Sequence, residues 1–67
     1  MITITLNGER RQLAAICPLA QLVDELGLVG KRIAVERNGE IVPRGEFGMQ
    51  SINEGDRLEI VVAVGGG

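Results

Sequence analysis

One stretch of this chain, and only one, repeats its apolar residues with the period of a helix. Leu19, Leu22, Val23 and Leu26 fall at i, i+3, i+4 and i+7, while Gln21, Asp24 and Glu25 take the opposite side. Pro18 suits the first helical position, where a missing N–H costs nothing. Gly27 follows as a left-handed cap, with Leu28 placed to fold back onto the last turn. The spacing predicts a helix over 18–26. A single helix of that length has one stripe to bury and no second helix to bury it against. The remaining residues must supply a sheet.

Their pattern agrees. Ile2, Ile4 and Leu6 alternate with Thr3 and Thr5, the period of a half-buried strand. Asn7-Gly8 follows, two residues that tolerate the positive φ required at both centres of a type I′ turn, so a second strand returns from Glu9 to about Ala14 with Leu13 turned inward. After the helix, 32–37 carries Ile33, Ala34 and Val35 into a second turn dipeptide, Asn38-Gly39. A short strand over 40–42 is ended by Pro43. Residues 45–51 show no clear period and are expected to be irregular or 3₁₀. Glu54-Gly55-Asp56 reads as a turn whose carboxylates are solvated or cap it. From Arg57 to Val64, Leu58, Ile60, Val62 and Val64 alternate with Glu59, Val61 and Ala63, a long strand apolar on one face and mixed on the other.

The order ββ-α-ββ-β is that of the β-grasp, or ubiquitin-like, fold. It is an α+β domain: a mixed sheet of four to five strands with one helix across one face, and the last strand central beside the first. The helix stripe is expected to pack on Ile4, Leu6, Ile33, Val35, Leu58 and Ile60. Residues 1–64 are expected to form that domain and 65–67 a flexible tail. A chain of 67 residues leaves room for one economical core and little for a deep cleft.

The inventory of reactive side chains is thin. There is no His, which removes imidazole catalysis and His-containing zinc sites. Phe47 is the sole aromatic residue, and the net charge is −2, so neither base stacking nor a phosphate-binding surface is expected and no nucleic acid is a partner. No apolar run approaches the roughly 20 residues of a membrane span. The first residues lack a basic, apolar leader, so the cytoplasm is the expected location. Cys17 is the one thiol. At a helix start it has access to a lowered pKa, but no resolving Cys or His base accompanies it, so it reads as a small buried hydrophobe.

Glycine is the exception. Three of the ten glycines are Gly65, Gly66 and Gly67, directly after a strand of strong β-formers. No helix follows to make them a phosphate cradle. Residues without Cβ make a slender arm, and with a terminal carboxylate on Gly67 that arm is narrow enough to thread into another protein's active site.

With these residues in view the chain resembles the sulfur carriers of thiamine biosynthesis, the ThiS family. The resemblance is carried by Asn38-Gly39-Glu40-Ile41-Val42-Pro43-Arg44, Glu54-Gly55-Asp56-Arg57, Val64-Gly65-Gly66-Gly67, the helix through Leu28 and the Lys31–Val35 strand, and so covers nearly the whole chain. Pro18 departs from it, since such carriers often place Thr there as a helix cap. The resemblance implies that the chain is a protein cosubstrate and not an enzyme. An E1-like adenylyltransferase uses ATP to activate the Gly67 carboxylate, while no cofactor is bound by the carrier itself. A sulfur-donating persulfide enzyme supplies sulfur for a Gly67 thiocarboxylate, and thiazole synthase receives it. Gly65 and Gly66 give access. Val61, Ala63 and Val64, on the strand leading to the tail, are the candidate docking residues. A sulfur carrier of the molybdopterin synthase type and a ubiquitin-like protein modifier are the alternatives on the same fold.

Overall fold

The computed structural model describes residues 1–63; Val64, Gly65, Gly66 and Gly67 lie outside the described residues. The chain opens with the expected hairpin, β1 (Ile2–Leu6) and β2 (Glu9–Leu13), paired in antiparallel register from Ile2 opposite Leu13 to Leu6 opposite Glu9. Asn7 and Gly8 have φ of 51° and 83°, as a type I′ turn requires. The second hairpin, β4 (Ile33–Arg37) and β5 (Glu40–Val42), turns through Asn38 and Gly39 at φ 52° and 88° in the same way.

The helix α1 spans Leu19–Glu25, inside the expected range. Pro18 stands before it in extended conformation as its N-cap, and Leu26 is its C-cap rather than its last turn. The end is the one the Gly27-Leu28 pair predicts. Gly27 adopts φ 74°, its N–H donates to the Asp24 carbonyl, and the Leu28 N–H reaches back to the Val23 carbonyl, both at 3.0 Å.

A pairing that no periodicity predicts sits at the start of the helix. Cys17–Pro18 forms a two-residue strand, β3, antiparallel to β6 (Ser51–Ile52), a small sheet of its own. Pairs this short have no periodicity to read. Between Pro43 and β6, Arg44–Glu46 makes the 3₁₀ turn anticipated for the irregular stretch.

The last strand, β7, runs Arg57–Val62; Ala63 lies beyond the strand, so it stops short of the expected Val64. The main sheet has the order β2-β1-β7-β4-β5, with β7 parallel to β1 and antiparallel to β4. This is the β-grasp arrangement, with β7 central beside β1.

Leu19, Leu22, Ile4, Val35, Leu58 and Ile52 are the most deeply buried large side chains. Of the expected core, Val23 and Ile60 are also buried, whereas Leu26, Leu6 and Ile33 are only partly so, because each lies at an end of its element. The opposite sheet face carries Thr3, Thr5, Arg57, Glu59, Val61, Ala34 and Glu36 and has no second layer among the described residues. No described helix is long and apolar enough to cross a membrane.

Candidate functional site at the end of the central strand

The expected reacting residue follows β7, so whatever holds β7 sets where the tail leaves the domain. Three polar side chains hold it. Where β1 turns away into the hairpin, Asn7 substitutes for backbone: its Oδ1 accepts the Ile60 N–H at 2.8 Å and its Nδ2 donates to the Ile60 carbonyl at 3.2 Å. Asn38 does the same from the other side, its Oδ1 accepting the Arg57 N–H at 2.8 Å. Both asparagines are the first of the two left-handed residues of their turns, and the side chain of each bonds β7.

Asp56 anchors the start of the strand; of the two expected roles it takes the capping one, its Oδ2 accepting the Asn53 N–H across the turn, and it is buried rather than solvated. It is 7% exposed. Arg37 Nε donates to Oδ2 at 3.1 Å, Asn38 Nδ2 to Oδ1 at 3.1 Å and the Asn53 N–H to Oδ2 at 2.8 Å. Burial alone would push its pKa up, but the Asn53 amide, the Asn38 side chain and the Arg37 charge outweigh it and hold the carboxyl below the usual aspartate range. Asp56 stays ionised because donors from three residues, Arg37, Asn38 and Asn53, converge on it. Glu54 beside it does face solvent, with Oε1 accepting the Thr3 N–H at 3.1 Å.

At the far end, β7 pairs through Val61 opposite Ala34 and Val62 opposite Ile33, and the Ala63 N–H donates to the Arg32 carbonyl at 2.8 Å. The domain is therefore tied to its last described residue. Val61 is 61% exposed on the open face, and Ala34 and Ala63 are exposed with it. Val61 and Ala63 are two of the three docking candidates; the third, Val64, and Gly65, Gly66 and Gly67 fall outside the described residues.

Cys17 is buried, and burial pushes its thiol pKa up, with the Glu25 carboxylate adding to the effect. That is the environment of an inert thiol, not of a nucleophile. Among the described residues no group of three or more Cys, Asp or Glu is placed to hold a metal ion. The two Asn-Gly dipeptides predict turns, and no local signal marks Asn7 or Asn38 as an anchor of β7, since their partners lie 53 and 19 residues away.

The model of the family described as the ThiS family matches residues 4–67. The chain is 44% identical over 64 residues to a thiazole synthase of Paramagnetospirillum magneticum, a match that takes in 96% of this chain and 20% of the synthase. It thus spans about a fifth of the length of that relative. Against an uncharacterized protein, ycf40, of Porphyra purpurea, the identity is 36% over 98% of this chain and 93% of the relative. The crystal structure of the thiamine biosynthesis protein ThiS from Geobacter metallireducens superposes with a TM-score of 0.84 at 26% identity, covering 98% of this chain and all of that one.

Proposed function

Because this chain belongs to the ThiS family, we propose that it is a sulfur carrier of thiamine biosynthesis whose working residue is Gly67. The observation that carries the reading is the family match itself, which runs through the three glycines to Gly67. A carboxylate is a poor electrophile. An E1-like adenylyltransferase activates it: a Gly67 carboxylate oxygen attacks the α-phosphorus of ATP, pyrophosphate departs, and an acyl-adenylate remains. Persulfide sulfur from a donor enzyme then attacks the acyl carbon and expels AMP. Reduction of the resulting acyl disulfide by a thiol leaves the Gly67 thiocarboxylate. Thiazole synthase takes up that sulfur, a partner consistent with the synthase relative of which a segment like this chain forms a fifth.

In this reading the chain supplies the reacting carbon and its partners supply catalysis. Gly65 and Gly66 admit the terminus to a narrow channel because a Cβ there has no room. The rigidly held β7 presents the tail, and Val61, Ala63 and Val64 meet the partner around its root.

Incubated with ATP, the adenylating partner, a sulfur donor and a thiol, the chain should exchange one oxygen for one sulfur, localised to Gly67 by fragmentation mass spectrometry. Deleting Gly67 should abolish the exchange, and Cys17→Ser should preserve it. Sulfur found on Cys17 with Gly67 unmodified would overturn the mechanism in favour of a persulfide relay.

A further inference from the structure

The end of β7 has two sides, and Val61 and Ala34 occupy only the open one. On the helix side, Ile33, the ladder partner of Val62, stands at the edge of an apolar groove of about 220 Å³. Val23, Leu28, Val29 and Phe47 line it with Ile33, and Arg44 borders it. Val29 is 66% exposed, and Leu28, Ile33 and Phe47 are only partly buried, so the chain's one aromatic ring is left with an open flank. The volume lies below the roughly 300–1,000 Å³ usual for small-molecule sites. It suits a side chain of another protein better than a free metabolite.

The surroundings of the groove give the occupant's charge. Lys31, Arg32 and Arg44 are three of the seven cationic residues of a chain whose net charge is −2. The Arg44 guanidinium donates to the Lys31 carbonyl at 3.1 Å, and the Arg32 carbonyl accepts the Ala63 N–H at 2.8 Å, which ties this basic segment to the root of the tail. None of the three forms an ion pair among the described residues. An apolar groove bordered by unpaired cations is complementary to an apolar side chain flanked by carboxylates.

Reach narrows whose side chain that is. Four residues follow Ala63, and fully extended they span at most about 14 Å. A protein that acts on Gly67 must therefore stand against the root of the tail, and the groove lies there. We infer that the groove receives an apolar side chain with neighbouring carboxylates from the thiazole synthase that takes up the Gly67 terminus. The inference rests on the function proposed above. It commits to the synthase because a relative bearing that name holds a matching segment within its own chain, where docking is helped by high effective concentration.

The test is binding of the full chain to its cognate thiazole synthase and, in parallel, to the adenylating enzyme, measured by calorimetry for the unaltered protein, Val29→Asp, Arg44→Glu and Ile16→Asp. Val29 and Ile16 are exposed and make no side-chain hydrogen bond, so their variants should keep the unaltered circular dichroism spectrum and melting curve; Arg44 is exposed too but loses its bond to the Lys31 carbonyl, so Arg44→Ala is measured beside Arg44→Glu to separate that loss from the reversed charge. Val29→Asp and Arg44→Glu should each weaken binding tenfold or more, and Ile16→Asp should not. Added salt should weaken the unaltered pair more than the Arg44→Glu pair. Tight binding by Val29→Asp and Arg44→Glu would overturn the groove while leaving the sulfur-carrier reading intact. Weakened binding to the adenylating enzyme alone would overturn the choice of occupant. If the unaltered chain does not bind the synthase at all, the proposed function fails and the groove assignment falls with it.

Discussion

Replacing Asp56 with Asn tests whether a buried carboxylate holds the strand that presents the tail. The substitution keeps the shape and removes the charge. An amide oxygen placed at Oδ2 still accepts from Asn53 and Arg37, but its NH₂ group then meets Asn38 Nδ2, donor against donor. The Arg37 side chain, 26% exposed, also loses its counter-charge. One lost charge-assisted bond is worth roughly 1.5–3 kcal/mol, and partial solvation of Arg37 softens the rest, so a loss of about 2 kcal/mol is expected. A chain of this length has roughly 3–10 kcal/mol in total. With no Trp or Tyr, unfolding is followed by far-UV circular dichroism in urea, where the midpoint should fall by about 1 M or more. The pH dependence supplies a second readout. Because folding lowers the pKa of Asp56, its contribution is fully present above the unfolded value of about 3.9 and is lost as pH falls through the folded value. The gap between the two proteins should be full at neutral pH and close in acid. An unchanged midpoint at neutral pH, or a gap that persists undiminished in acid, would refute the reasoning.

Two further outcomes bear on the core and the open face. Leu22→Ala removes the fully buried centre of the helix stripe and should cost about 2–5 kcal/mol in the same urea experiment, close to unfolding the domain; an unchanged midpoint would exclude Leu22 from the core. Val61→Asp should leave the melting curve in place, since Val61 is largely exposed, yet weaken binding to the adenylating enzyme; undiminished binding would put that contact elsewhere.

What the sequence determined by itself is what neighbouring residues settle between them. The Leu19–Leu26 stripe, the Gly27-Leu28 stop and the two Asn-Gly turns are consequences of side-chain period and backbone sterics within a few residues, and the structure reproduces each to within a residue or so. The glycine run at 65–67 was equally legible, because the absence of Cβ is written in the residue itself. The tertiary structure decided the rest. Glu54 and Asp56 flank one glycine and look alike in sequence, yet Glu54 faces solvent and Asp56 is buried, because Arg37 and Asn38 arrive from a strand and turn nearly twenty residues away. Asn7 bonds Ile60 across 53 residues, and no local pattern marks a side chain that will stand in for a sheet partner. The Cys17–Pro18 pairing with Ser51–Ile52 is too short to leave a period. The groove beside Ile33 exists only because the loop after the helix, β4 and the 3₁₀ turn meet without filling the space between them. A period of two or 3.6 records which face of an element is apolar, whereas the neighbour it meets depends on how the whole chain closes.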